Sequence, residues 1–111
     1  MEITEQRQGA VTVVKPAGAL TADHADRLRS TLAEAARANL GRVVVDASAV
    51  PFLDSRGIEV LLDVGEELGH GGRALKMSGV TPTVREALEL TGVSDAMEFY
   101  DDVHSAVRSF L

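Results

Sequence analysis

Apolar residues along the chain follow two different periods, and each change of period marks a boundary between predicted elements. The β-branched run 43–45, which ends at Asp46, is typical of a strand covered on both faces. Apolar residues then recur at helical spacing, which predicts a helix that begins at Ser55 and ends near Leu68. The apolar face of this helix consists of Ile58, Leu61, Leu62, Gly65 and Leu68.

The same two periods extend over the rest of the chain. Strands are predicted near 2–8, 10–17, 42–46, 73–77 and 97–100. Three further helices have capping residues at their starts, namely Thr21 or Asp23, Thr81, and Asp101 or Asp102. Pro16 is expected to end or bulge the second strand, because proline has no amide to donate to a neighbouring strand. Strands that alternate with helices indicate an α/β domain with a mixed, largely parallel sheet of four to five strands and about four helices.

Length and composition favour one compact domain that spans 1–111. The 111 residues are 45% hydrophobic and 25% charged, which suits a single hydrophobic core. We find neither a long apolar run nor a charged leader before an apolar segment, so we expect a cytoplasmic protein that does not insert into a membrane. The absence of cysteine excludes disulfides, thiolate metal sites and cysteine catalysis.

The charge balance argues against a nucleic acid partner. Seventeen acidic against eleven basic residues give a formal net charge of −6, which opposes association with a polyanion. The three histidines, at 24, 70 and 104, are dispersed and form no recognisable metal-ligand spacing. We therefore expect neither a metal site nor a cofactor.

Ser55 is the main candidate for chemistry, because a helix start is a natural anion site. The first amides of a helix lack intrahelical partners and carry the positive end of its dipole, so a phosphate on Ser55 would be well placed. The simpler interpretation is that Ser55 only caps the helix. Asp54 could likewise be a cap or could orient the Ser55 hydroxyl, and Asp46 could be a turn former or a functional residue. No Gly-x-Ser-x-Gly pattern surrounds Ser55 and no histidine is placed to activate it, so we do not expect an enzyme.

The stretch from the central strand to this helix resembles the STAS domain family, and in particular the bacterial anti-sigma factor antagonists. The residues that carry the resemblance are the strand 43–46, the pair Phe52-Leu53, the motif Asp54-Ser55-Arg56-Gly57 and Ile58. Further matches lie at Gly18-Ala19-Leu20, at Gly71-Gly72 and from 81–84 to 91–93, so nearly the whole chain is covered. Arg56 departs from the small residue usual in the motif, Thr21 from a frequent aspartate, and Pro16 from the usual strand.

The resemblance implies a regulatory protein with Ser55 as its phosphorylation site. The unphosphorylated form would bind an anti-sigma factor that is also a serine kinase and thereby release a sigma factor. Phosphorylation would end this binding, and a metal-dependent serine phosphatase would restore it. The partner-binding residues implied are Thr21, Asp23, Asp46, Asp54, Arg56 and Gly57.

The same family also allows a different function. A STAS protein that is never phosphorylated can be a subunit of a lipid-trafficking ABC transporter or part of a stressosome-type scaffold, and the fold does not separate these. The predicted edge strand and the acidic surface are compatible with a monomer or an oligomer.

Overall fold

A five-stranded mixed sheet forms the centre of the computed structural model, which describes residues 1–111. The strand order is β1-β2-β3-β4-β5, with β1 antiparallel to β2 and every other neighbouring pair parallel. The strands are β1 Glu2–Gln8, β2 Val11–Ala17, β3 Val43–Asp46, β4 Leu75–Ser78 and β5 Met97–Tyr100. The predicted α/β class with a largely parallel sheet is confirmed.

Four α-helices connect or follow the strands. They are α1 Ala22–Ala38, α2 Ser55–His70, α3 Pro82–Leu90 and α4 Val103–Arg108, with a short 3-10 turn at Ser94–Ala96. The caps predicted at Thr81 and Asp102 are present, since each side chain accepts a hydrogen bond from the amide three residues later. None of the helices combines the length and the apolar character needed to cross a bilayer.

Pro16 neither ends nor bulges β2, and that prediction was wrong. Its register with β1 continues unbroken, with Pro16 opposite Ile3 and Ala17 opposite Glu2. Pairing with β3 involves only Thr12 to Val14, so Pro16 lies beyond the part of β2 that has a strand on both sides. A proline is tolerated there because only one edge of the strand is engaged in a ladder.

The main core lies between one face of the sheet and the helices α1, α2 and α3. Val14 and Val45 from the sheet, Leu28 from α1, Leu61 from α2 and Leu88 from α3 all belong to this core and are at most 1% exposed. The short helix α4 covers part of the opposite face, where Ala106 packs in a cluster with Val11, Val13 and Val44. The β3 valines are thus covered on both sides, as their β-branched run predicted.

A short backbone bridge brings the starts of α1 and α2 together. Leu20, just before α1, and Leu53, just before α2, form an isolated parallel bridge. The Leu20 amide donates to the Phe52 carbonyl at 3.0 Å, and the Asp54 amide donates to the Leu20 carbonyl at 3.1 Å. Both helices therefore begin side by side at the carboxyl edge of the parallel strands, where α/β folds commonly bind ligands.

Candidate functional site

The carboxylate of Asp54 caps two helices at once. One oxygen, Oδ1, accepts a hydrogen bond from the Gly57 amide of α2 at 2.9 Å. The other, Oδ2, accepts from the Ala22 amide of α1 at 3.0 Å. These two donors, first Gly57 and then Ala22, hold the pKa of Asp54 below its ordinary value, because they stabilise the charged form. Asp54 therefore joins the starts of α1 and α2.

This arrangement corrects two of the predicted caps. Ser55 is the first residue of α2 and Asp54 is its N-cap, so Ser55 does not cap the helix. Thr21 occupies the N-cap position of α1, but its side chain makes no capping hydrogen bond, because Asp54 supplies the acceptor from across the helix pair. Asp23 lies exposed in the first turn of α1. A cap 32 residues away in sequence is invisible to local patterns.

The hydroxyl of Ser55 is free of structural bonds. Ser55 is exposed, and its Oγ forms no hydrogen bond within the protein. It lies in the first turn of α2, where the backbone amides point away from the helix and favour a negative group. No histidine or carboxylate side chain is hydrogen bonded to this hydroxyl.

Arg56 is not a free guanidinium beside the acceptor. Its side chain pairs with Asp26 on α1 and with Glu59 on α2, and it is 33% exposed. The hydrogen bond that Arg56 donates to Asp26 and the negative charge of Asp26, together with Glu59, raise the pKa of Arg56 above its already high ordinary value. Arg56 thus forms a second connection between the starts of the two helices, next to the one made by Asp54.

Two other predicted partner-binding residues have evident structural roles. The Asp46 carboxylate accepts hydrogen bonds from the Ser48 amide at 3.1 Å and from the Ser48 hydroxyl at 2.7 Å, and it makes none with Asp54 or Ser55. This is the geometry of a turn former. Gly57 is buried, and a Cβ built there would lie 2.4 Å from the Leu20 carbonyl oxygen. Gly57 lets α2 approach the segment before α1.

An exposed aromatic ring adds to this surface and was not among the predicted partner-binding residues. Phe52 is 52% exposed, although the nearby Val50 is buried and Leu53 is half-buried. The only sequence signal for it was its place in the motif just before Asp54. We define the helix-start surface as the exposed residues Asp23, Phe52 and Ser55 together with the half-buried residues Thr21 and Arg56. It combines one aromatic ring, the hydroxyls of Thr21 and Ser55, and the charges of Asp23 and Arg56.

No group of three or more histidine, aspartate or glutamate side chains is arranged to hold a metal ion.

The sequence profile of the STAS domain family matches residues 2–106. The chain belongs to the STAS family. This match spans all five strands and the helix-start surface of the STAS domain.

Individual relatives resemble this chain over nearly its full length. It is 25% identical to the Anti-sigma F factor antagonist of Paenibacillus polymyxa over 108 residues, which cover 96% of this chain and 92% of that protein. It resembles the crystal structure of an anti-sigma factor antagonist from Mycobacterium paratuberculosis with a TM-score of 0.82 at 26% identity, over 97% of this chain and 92% of that one. It shares the fold of the phosphorylated form of SpoIIAA, a Bacillus cell fate determinant, with a TM-score of 0.73 at 16% identity over 97% and 99% of the two chains.

Proposed function

We propose that this STAS domain is an anti-sigma factor antagonist whose binding is switched by phosphorylation of Ser55. Its partner is an anti-sigma factor that acts as a serine kinase, and a metal-dependent serine phosphatase reverses the modification. The domain acts in the cytoplasm without enzymatic activity of its own. The observation that carries the proposal is the free, exposed Ser55 hydroxyl at the first position of α2. The names of relatives over the full chain support the same function.

A phosphate on Ser55 is compatible with the folded domain. The modification adds about −1.5 to −2 charges at neutral pH, and the start of α2 favours negative charge. The helix cap is made by Asp54, so transfer to Ser55 breaks no hydrogen bond of the fold. Phosphorylation is therefore expected to change binding without unfolding the domain.

The same phosphate would weaken binding to the kinase. A kinase places a carboxylate against the hydroxyl that receives the phosphate, so the product group meets a like charge. Each like-charge contact at about 4 Å costs roughly 1 to 4 kcal/mol near a protein surface. Two such contacts amount to a factor of hundreds or more in the dissociation constant.

The test uses wild type, Ser55→Ala and Ser55→Asp with the cognate anti-sigma kinase and ATP, read by intact mass and by a binding titration. We expect the wild type to gain one phosphate. Ser55→Ala should gain none and bind the kinase as the wild type does, and Ser55→Asp should fold normally but bind weakly. Ser30→Ala, at an exposed position of α1, is the matched control and should still be phosphorylated.

A wild-type protein that gains no phosphate, or a phosphate that persists in Ser55→Ala, would contradict the proposal. Equal binding by wild type and both Ser55 variants would instead favour the STAS subunit of a transporter or a scaffold, in which Ser55 has no switching role.

A further inference from the structure

A pocket of about 290 Å³ lies between the second halves of α1 and α2, far from the helix-start surface. Thirteen residues separate Ser55 from Leu68 in the pocket wall, which corresponds to about 20 Å along the helix axis. The pocket is therefore not part of the proposed phosphorylation site. Its volume lies just below the range of about 300 to 1,000 Å³ that is typical of small-molecule sites.

The side chains between the two helices explain why the pocket is open. Near their starts, Arg56 closes the gap by pairing with Asp26. Further along, Arg29 on α1 pairs with Asp63 on α2 at 2.9 Å. Beyond that pair, α1 contributes Ala33, Ala36 and Arg37 to the pocket, and the apolar wall consists of Ala33, Ala36, Leu40, Val64 and Leu68.

Two arginines without an ion pair line this pocket. Arg37 lies in the last turn of α1 and Arg73 lies just before β4, and no carboxylate is within ion-pair distance of either. Glu67 is the one carboxylate that lines the pocket, and Arg29 is already paired with Asp63. Two cations without a carboxylate partner thus line one small pocket in a domain with a net charge of −6. The Arg73 guanidinium also lies over the Phe110 ring, 5.7 Å from its centroid.

Leu40 adds apolar surface beside the pocket. It is the only residue other than glycine with a positive φ, 57°, and its side chain is 72% exposed. This left-handed residue ends α1, where the Gly41 amide donates to the Ala36 carbonyl at 2.8 Å. The neighbouring Asn39 is buried and its side chain donates to the Thr12 hydroxyl, which holds this segment in place.

The structure assigns to this pocket a small amphiphilic carboxylate, with its apolar chain between the helices and its carboxylate on Arg37 and Arg73. The last turns of α1 and α2 also lie here, and their carbonyl ends repel a bare anion. An inorganic anion would therefore bind poorly, because it has no apolar chain whose contact with the pocket wall could offset this repulsion. A neutral chain of the same length would bind poorly because it gives neither guanidinium group a carboxylate partner.

The test measures backbone amide shifts by NMR during titration of the full chain with octanoate, with octanol and with inorganic phosphate. We expect octanoate to shift the amides of Ala33, Leu40, Val64 and Gly71, and to bind at least roughly ten times more tightly than either of the other two compounds. Arg37→Gln combined with Arg73→Gln should reduce octanoate affinity to that of octanol. Glu67→Gln should increase it, because a like charge is removed.

Two further variants control for the fold and for general charge. Ala33→Leu, at a half-buried position, should fill the pocket and abolish binding of octanoate and octanol alike. Arg7→Gln, which removes an exposed arginine in β1, should leave octanoate binding unchanged. The proposal is overturned if octanoate shifts no pocket amide at millimolar concentration, if octanol or phosphate binds equally well, or if the two arginine substitutions have no effect in a folded variant.

Discussion

Gly57 offers the sharpest test of how α2 is seated against the segment before α1. A Cβ added to Gly57 would lie 2.4 Å from the Leu20 carbonyl oxygen and 3.0 Å from Leu20 Cγ. The carbonyl cannot rotate away, because it accepts the Asp54 amide at 3.1 Å, and the Leu20 side chain is only 2% exposed. Gly57→Ala therefore forces α2 away from this segment.

The expected change in the free energy of unfolding for Gly57→Ala is the sum of two opposing contributions. Overpacking a well-packed region costs about 1 to 3 kcal/mol, and contact with a fixed backbone atom puts Gly57→Ala at the upper end of that range. Replacement of glycine by alanine inside a helix returns about 1 kcal/mol. We expect a net loss of about 2 kcal/mol, which is large against a typical unfolding free energy of about 5 to 15 kcal/mol.

Gly69→Ala is the matched control in the same helix. No atom lies within 4 Å of a Cβ built at Gly69, so only the helix-propensity gain of about 0.5 to 1 kcal/mol remains. Urea unfolding should separate the two variants by roughly 3 kcal/mol at an unchanged slope. Equal unfolding midpoints for Gly57→Ala and Gly69→Ala would refute the close approach of α2 to Leu20.

Three other outcomes follow from the packing and charges. Leu61, 1% exposed in the core, should not tolerate aspartate, and a folded Leu61→Asp variant in a thermal melt would contradict the position of α2. The pKa of Asp54 is lowered in the folded state, so its carboxylate stabilises the fold above about pH 4. This contribution is lost as the pH falls through the lowered pKa. The difference in unfolding free energy between wild type and Asp54→Asn should therefore close in acid and not in alkali. Arg56→Gln removes the pairs with Asp26 and Glu59, and its loss in stability should shrink at high salt; an unchanged loss would show that charge is not the cause.

The elements themselves were predictable because their signals are local. The β-branched run of β3 and the apolar face of α2 predicted a strand and a helix that the structure contains, with α2 two residues longer than expected. The caps at Thr81 and Asp102 act on amides three residues away, within reach of a sequence pattern. Strand β5 covers residues 97–100, as predicted.

The contacts that build the candidate site were not predictable, because they join distant segments. The sequence offered Ser55 or Asp54 as the cap of α2 and Thr21 or Asp23 as the cap of α1, whereas the single carboxylate of Asp54 caps both helices. The pairing of Arg56 with Asp26 spans 30 residues and depends on how α1 and α2 lie side by side. The effect of Pro16 on β2 was wrongly predicted for the same reason, since a proline is tolerated there only because the pairing of β2 with β3 ends before it.

The shared cap restricts which residue can occupy position 54. Serine and threonine each carry one side-chain oxygen, and asparagine carries one acceptor oxygen, so none of them can place a separate oxygen at each of the two helix starts as Asp54 does. Glutamate has two oxygens but a longer side chain than the usual N-cap residues. Among the residues that commonly cap helices, aspartate alone offers two acceptors on a short side chain, so the range of tolerated substitutions at Asp54 should be narrower than at an ordinary N-cap.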